Sequence, residues 1–176
     1  MMRAATVILI FIVMSVSYAE IGFGQTAQQY MEQGDAKAEA GDIKGSIEDF
    51  SKAIKADPES AEAHYARGYA YAITQNFKQA DKDFSKAIEI NPSFAQAYLR
   101  RGAVKTNEND RKGAIKDFDK AIELQPSYAE AYYVRGYVYI ESGQKKKGCE
   151  DLKKAGEMGL SQHEQFNLVF NQECGK

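Results

Sequence analysis

The string Asp83-Phe84-Ser85-Lys86-Ala87-Ile88-Glu89-Ile90-Asn91-Pro92 occurs three times in near-identical form and once in degraded form. One full copy runs from Asp49 to Pro58 and another from Asp117 to Pro126; the degraded copy runs from Asp151 to Leu160. The aspartates fall at 49, 83, 117 and 151, a constant step of 34 residues. A unit of that size cannot bury its own apolar face, so a fixed step means identical units stacked side by side. Function in such a chain is expected along a surface rather than in a catalytic pocket.

Within each unit the pattern predicts two helices: 27–40 with 44–56, 61–74 with 78–90, 95–108 with 112–124, and 129–142 with 145–157. Pro58, Pro92 and Pro126 end the second helices, because proline pushes the residue before it out of the α region. Gly34, Gly68, Gly102 and Gly136 recur inside the first helices. Glycine there costs about 1 kcal/mol relative to alanine, which predicts close helix packing at those points. Phe50, Phe84, Phe118 and Leu152, with Ala53, Ala87, Ala121 and Ala155, are the expected core of the second helices. Asp49/Lys52, Asp83/Lys86, Asp117/Lys120 and Asp151/Lys154 read as i,i+3 pairs on a solvated outer face.

The spacing resembles the tetratricopeptide repeat, a 34-residue helix-turn-helix unit. In that register the repeats are 27–60, 61–94, 95–128 and 129–160. The second matches best, through Gly68, Tyr71, Ala80, Phe84, Ala87 and Pro92; the fourth departs most, with Gly148, Leu152 and Leu160 for alanine, phenylalanine and proline. The resemblance implies an all-α fold, a right-handed superhelical solenoid of four such repeats plus a C-terminal capping helix in 161–176. Phe166, Val169 and Phe170 supply the apolar stripe of that cap, predicted near 162–173. As to function it implies a binding partner that is another protein or a peptide.

Residues 1–19 read as a signal peptide, followed by a linker over 20–26. Arg3 precedes an uncharged run from Ala4 to Met14, and Ser17-Tyr18-Ala19 places small residues at a peptidase site. Cleavage before Glu20 is expected, with cleavage after Gly24 as the alternative; uncleaved, the segment would be the chain's one attachment to a membrane. The reading is of an exported protein, periplasmic or secreted. Net charge is −2, which offers no basic face for nucleic acid. Export permits a disulfide between the two cysteines, Cys149 and Cys174. Helix lengths of roughly 13 and 18 Å run back from the turn before the cap to each of them, so the two ends can meet and staple the cap to the last repeat.

First helices line the concave side in arrays of this family. The resemblance therefore singles out Tyr65, Tyr69, Leu99, Arg100, Tyr133 and Tyr137 as the peptide-binding face, tyrosine and arginine being enriched at binding hot spots. Inter-repeat packing of the same tyrosines is the competing role. Chaperone-binding relatives use a basic, Asn-containing clamp for a C-terminal carboxylate. The matching positions here are Met31, Asp35, Ala66, Gln96 and Arg100, of which only Arg100 fits, so that activity is expected to be absent. Arg67, Arg101 and Arg135 follow the repeat and read as structural partners of acidic side chains on adjacent helices, with a basic ladder as the alternative. His64 stands where other repeats carry tyrosine and reads as packing; Lys145-Lys146-Lys147 reads as solvated surface. No catalytic constellation, phosphate loop or metal-ligand spacing is visible, so no enzyme activity, cofactor, metal or small-molecule substrate is expected. The sequence thus points to an exported scaffold that binds a peptide or helix of a partner. A self-associating structural protein of the cell envelope is the alternative, since the first repeat has no obvious preceding cap.

Overall fold

A computed structural model describes residues 25–175. The expected signal segment, 1–19, lies outside the described residues, as does the linker up to residue 24. Among the described residues the chain is all-helical. The four pairs are α1 (Ala27–Glu39) with α2 (Ile43–Ala56), α3 (Ala61–Ile73) with α4 (Phe77–Ile90), α5 (Ala95–Asn107) with α6 (Arg111–Leu124), and α7 (Ala129–Glu141) with α8 (Lys145–Glu157). A single 3-10 turn, Leu160–Gln162, leads into α9 (Glu164–Cys174). Each helix of the four pairs packs most closely on its partner within the pair, and each second helix packs next on the helix that follows it, which is the contact pattern of a linear stack. No helix among the described residues is long and apolar enough to cross a membrane.

Local chemistry sets the helix ends. Thr26 and Gln29 form a reciprocal capping box at α1, and Asp42, Ser60 and Asp110 cap α2, α3 and α6 through the backbone N–H of Gly45, Ala63 and Gly113. Asp57, Asn91 and Gln125, each just before a proline, leave the helical region with φ of −139°, −124° and −136°. The turn inside each pair holds one residue at positive φ in the same register: Gly41 at 82°, Gln75 at 59°, Asn109 at 63° and Gly143 at 76°. Gln75 occupies a conformation that disfavours a side chain.

The core follows the period. Phe50, Phe84, Phe118 and Leu152 are buried, and so are the alanines three residues after each. The recurring glycines make room for those rings: a Cβ on Gly102 would stand 2.5 Å from Cε1 of Phe118. In the last pair Gly148 brings backbones together instead, and a Cβ on Gly136 would stand 2.9 Å from the Gly148 carbonyl oxygen.

The aspartates do not face water. Asp49, Asp83, Asp117 and Asp151 are all buried, and three of them take a forked pair of bonds from an arginine 16 residues upstream. Arg101, for example, donates from Nε and Nη2 to Asp117 at 2.9 and 2.7 Å. Its Nη1 donates to Ser85 of the preceding repeat at 3.1 Å. Arg67 bridges Asp83 and Ser51 in the same way, and Arg135 bridges Asp151 and Asp119. Each arginine therefore ties the second helices of adjacent repeats to each other. The Asp83 bond raises the Arg67 guanidinium above its ordinary value. For Arg101 and Arg135 burial pulls the other way, and the carboxylate bonds outweigh it. The first repeat has no such arginine. Lys37 and Lys52 hold Asp49 instead, and their bonds push its carboxyl below the usual aspartate value. Lys86 and Lys120 pair with Glu89 and Glu123 rather than with the aspartates.

Candidate functional site

First helices of successive repeats lie side by side, with α3 touching α5 and α5 touching α7. On the face they build, the structure divides the six expected ligand-facing residues. Tyr69 and Tyr137 are exposed, at 43% and 44%. They occupy the same register two repeats apart, and the position between them is Ala103. Tyr65, Arg100 and Tyr133 are half-buried. Leu99 is 1% exposed and packs with Phe118, Ala121, Ala131 and Val138. Leu99 is therefore core, and its place in the expected binding set is corrected: at its register α5 points between α6 and α7.

Two clusters result. Tyr65 lies with its ring centroid 4.9 Å from Phe94, 5.7 Å from Phe84 and 6.5 Å from Tyr69, the last pair stacked. The guanidinium of Arg100 covers Tyr69 at 5.5 Å and donates to Glu130 of α7 at 2.9 Å. Burial opposes the charge on Arg100; the Glu130 carboxylate and its other neighbours outweigh that, so its pKa is raised. At the far end Tyr133 packs at 5.9 Å on Phe166 of α9, while the Glu141 carboxylate raises the Tyr137 hydroxyl above its ordinary value. Phe166 is buried and Val169 and Phe170 join it, so the cap stripe is placed where it was expected.

Depressions open between the helices. One of about 430 Å³ between α1 and α3 is floored by Tyr65, Ala66, Tyr69 and Ile73 and edged by Asp35 and Glu39. A second, of about 310 Å³ between α5 and α7, is formed by Ala103, Thr106, Asn107, Val134 and Tyr137. A third, of about 390 Å³, lies where Glu130, Tyr133 and Val134 meet Leu160, His163 and Phe166. Sequence reasoning missed Ile73, 51% exposed. Its signal was available: it stands four residues after Tyr69, one turn along the same face.

The remaining candidates are structural. His64 is buried, with Nδ1 3.4 Å from Asp83 and Nε2 3.2 Å from the Pro58 carbonyl. Lys147 lies over Tyr139 at 5.4 Å and bonds Gln144. Cys149 and Cys174 are brought side by side, Cα atoms 5.6 Å apart and Sγ atoms at 2.00 Å. No group of three or more His, Cys, Asp or Glu side chains suited to a metal ion occurs among the described residues.

Models of the TPR repeat match residues 34–75 and 105–143, and two further tetratricopeptide repeat models match 61–94 and 129–158. No curated protein matches the chain. Among solved structures, MamA protein is 29% identical, with 87% of this chain and 85% of that one covered and a TM-score of 0.74. The first TPR of Spaghetti (RPAP3), solved bound to the HSP90 peptide SRMEEVD, is 27% identical over 69% of this chain and 96% of that one, with a TM-score of 0.67. The Arabidopsis OM64 TPR domain is 26% identical over 66% and 96%, with a TM-score of 0.65.

Proposed function

The chain belongs to the tetratricopeptide repeat family, and from that premise we propose that it is an exported, non-enzymatic scaffold whose first-helix face grips a peptide or helix of a partner protein. The carrying observation is the pair of exposed tyrosines, Tyr69 and Tyr137, each rising beside an apolar depression. Exposed tyrosine rings gain buried area when a partner covers them, and with two rotatable bonds each they lose little side-chain freedom on binding. The peptide held by the Spaghetti repeat domain supports a peptide ligand for this fold.

Alanine at Tyr69 and at Tyr137 tests the face. Partner capture from a native envelope extract is expected to fall sharply, while the melting temperature changes by no more than a surface substitution allows, about 1 kcal/mol or less in stability. A large loss of stability instead would make the rings part of the inter-repeat packing.

Export rests on Arg3, the apolar run to Met14 and Ser17-Tyr18-Ala19. The adjacency of Cys149 and Cys174 fits the same oxidising compartment. Their bond would close a 25-residue separation and contribute about 3 kcal/mol to holding the cap. The intact mass of protein recovered from the envelope or medium is expected to begin at Glu20 and to carry no free thiol. A chain that starts at Met1, or two alkylatable thiols under non-reducing conditions, contradicts these assignments.

A further inference from the structure

The three depressions on the first-helix face are alike in one respect. No lysine or arginine lines any of them; Asp35 and Glu39 line the one between α1 and α3 and Glu130 the one beside α9, while the one between α5 and α7 has no charged lining residue. Arg100, the cation that reaches this face, is already engaged by Glu130 at 2.9 Å and lies on Tyr69. Glu141 stands beside the exposed Tyr137 and is itself paired with Arg111 at 3.8 Å. Two of the three apolar floors are thus edged by carboxylates.

The depression between α1 and α3 is the sharpest case. Asp35 and Glu39 stand four residues apart on one face of α1, where like charges repel. Partial burial, and then the charge of Glu39, raise the Asp35 carboxyl above its ordinary value. Both carboxylates are exposed at the rim, and Tyr69 and Ile73 present bare apolar surface across from them. This arrangement is disfavoured in the free protein on two counts, repulsion and exposed apolar area. A single kind of occupant relieves both.

We infer that the partner segment is basic: a bulky aliphatic or aromatic side chain seats between α1 and α3 against Tyr69 and Ile73, and an adjacent lysine or arginine pairs with Asp35 and Glu39. An acidic segment would bring its own carboxylates against Asp35 and Glu39, with no lysine or arginine among the residues that line the depression to receive them. This inference rests on the groove reading above and adds to it the chemistry of the ligand. Rim charges of this kind act mainly through long-range attraction, so the interaction is salt-sensitive.

The probes are two fluorescein-labelled nonapeptides, one with a central leucine flanked by lysines and glycines, its twin with glutamates for lysines. They are titrated against the full chain by fluorescence anisotropy at low and at high sodium chloride. The lysine peptide is expected to bind, more weakly in high salt, and the glutamate twin not to bind. The double variant Asp35→Asn/Glu39→Gln is expected to weaken the lysine peptide about tenfold while keeping the helical circular dichroism of the parent, since both side chains are exposed. Tyr69→Ala is expected to weaken it as well. Unchanged binding by the double variant, equal or better binding of the glutamate twin, or no measurable binding of the lysine peptide overturns the basic-ligand inference. The two readings fail differently. If Tyr69→Ala abolishes binding and the double variant does not, the groove stands and the charge preference falls. If Tyr69→Ala changes nothing, the groove itself is wrong.

Discussion

Replacing Asp117 by alanine is expected to lower the stability of the array by about 3 kcal/mol or more, whereas Lys120→Ala should change it by no more than about 0.5 kcal/mol. Asp117 accepts bonds from Arg101 at 2.7 and 2.9 Å and from Lys105 at 2.7 Å, and it is buried. Its loss leaves a guanidinium and an ammonium with side-chain exposures of only 18% and 22% without their anion. Breaking a buried pair from one side is more damaging than the net worth of the pair, because the stranded charge has been taken out of water. The residual exposure of both cations moderates the loss toward the lower end of that range. The effect also spreads. Arg101 connects Ser85 of α4 to Asp117 of α6, so freeing it loosens the contact between two repeats, and a stack is stable only through such neighbour contacts. Lys120 pairs only with exposed Glu123. Equilibrium urea unfolding followed by circular dichroism separates the two variants. Equal midpoints would show that the arginine–aspartate ladder does not lock the repeats.

Phe118→Ala is expected to cost about 3–5 kcal/mol, and Gly102→Ala about 1–3 kcal/mol, and the double variant less than their sum. Phe118 is fully buried among Leu99, Ala131 and Val138. A methyl on Gly102 would sit 2.5 Å from its Cε1 and 2.8 Å from its Cδ1, closer than carbon atoms approach, so the ring or the helix must move. Once the ring is gone the same methyl enters vacant space. The two sites share one volume, and such sites are coupled. A double-mutant cycle by urea unfolding measures this coupling. Strict additivity would mean that the recurring glycine is there for some reason other than the ring.

Those two variants mark where local pattern was enough and where it was not. The recurrence of glycine and ring was legible because both repeat at 34 and both are unusual in their places, but the pattern predicts helices meeting at the glycines with the rings beside them, whereas the ring of Phe118 itself lies against Gly102. Helix bounds were legible for a similar reason: caps, left-handed turn residues and prolines act within a few residues of the backbone they terminate. The four helix pairs lie within about one residue of the positions the spacing predicts. The outward placement of Asp117 failed because Lys120, three residues on, is a plausible partner on the same helix, while the guanidinium that takes the carboxylate comes from a different helix 16 residues earlier. The sequence marks Arg101 as a partner for an acidic side chain on an adjacent helix without identifying which one. Leu99 failed in the same manner. Its register puts it on a first helix, but burial depends on how α6 and α7 close over it.

The sequence by itself determined the architecture: four helix pairs, where each begins and ends, a closing helix with one apolar stripe, and which small and large residues recur in the core. These follow from periodicity and from backbone preferences, which are local. Only the tertiary structure decided which side chains of the first helices remain in water, that three of the four recurring aspartates are buried under arginines, and that two of the apolar depressions are edged by carboxylates. A helical period assigns each residue to a face, but in a stack each face is shared between the partner within the repeat and the neighbour in the next. The way neighbouring helices close over the first helices leaves Tyr69 in solvent and covers Leu99 with residues of α6 and α7.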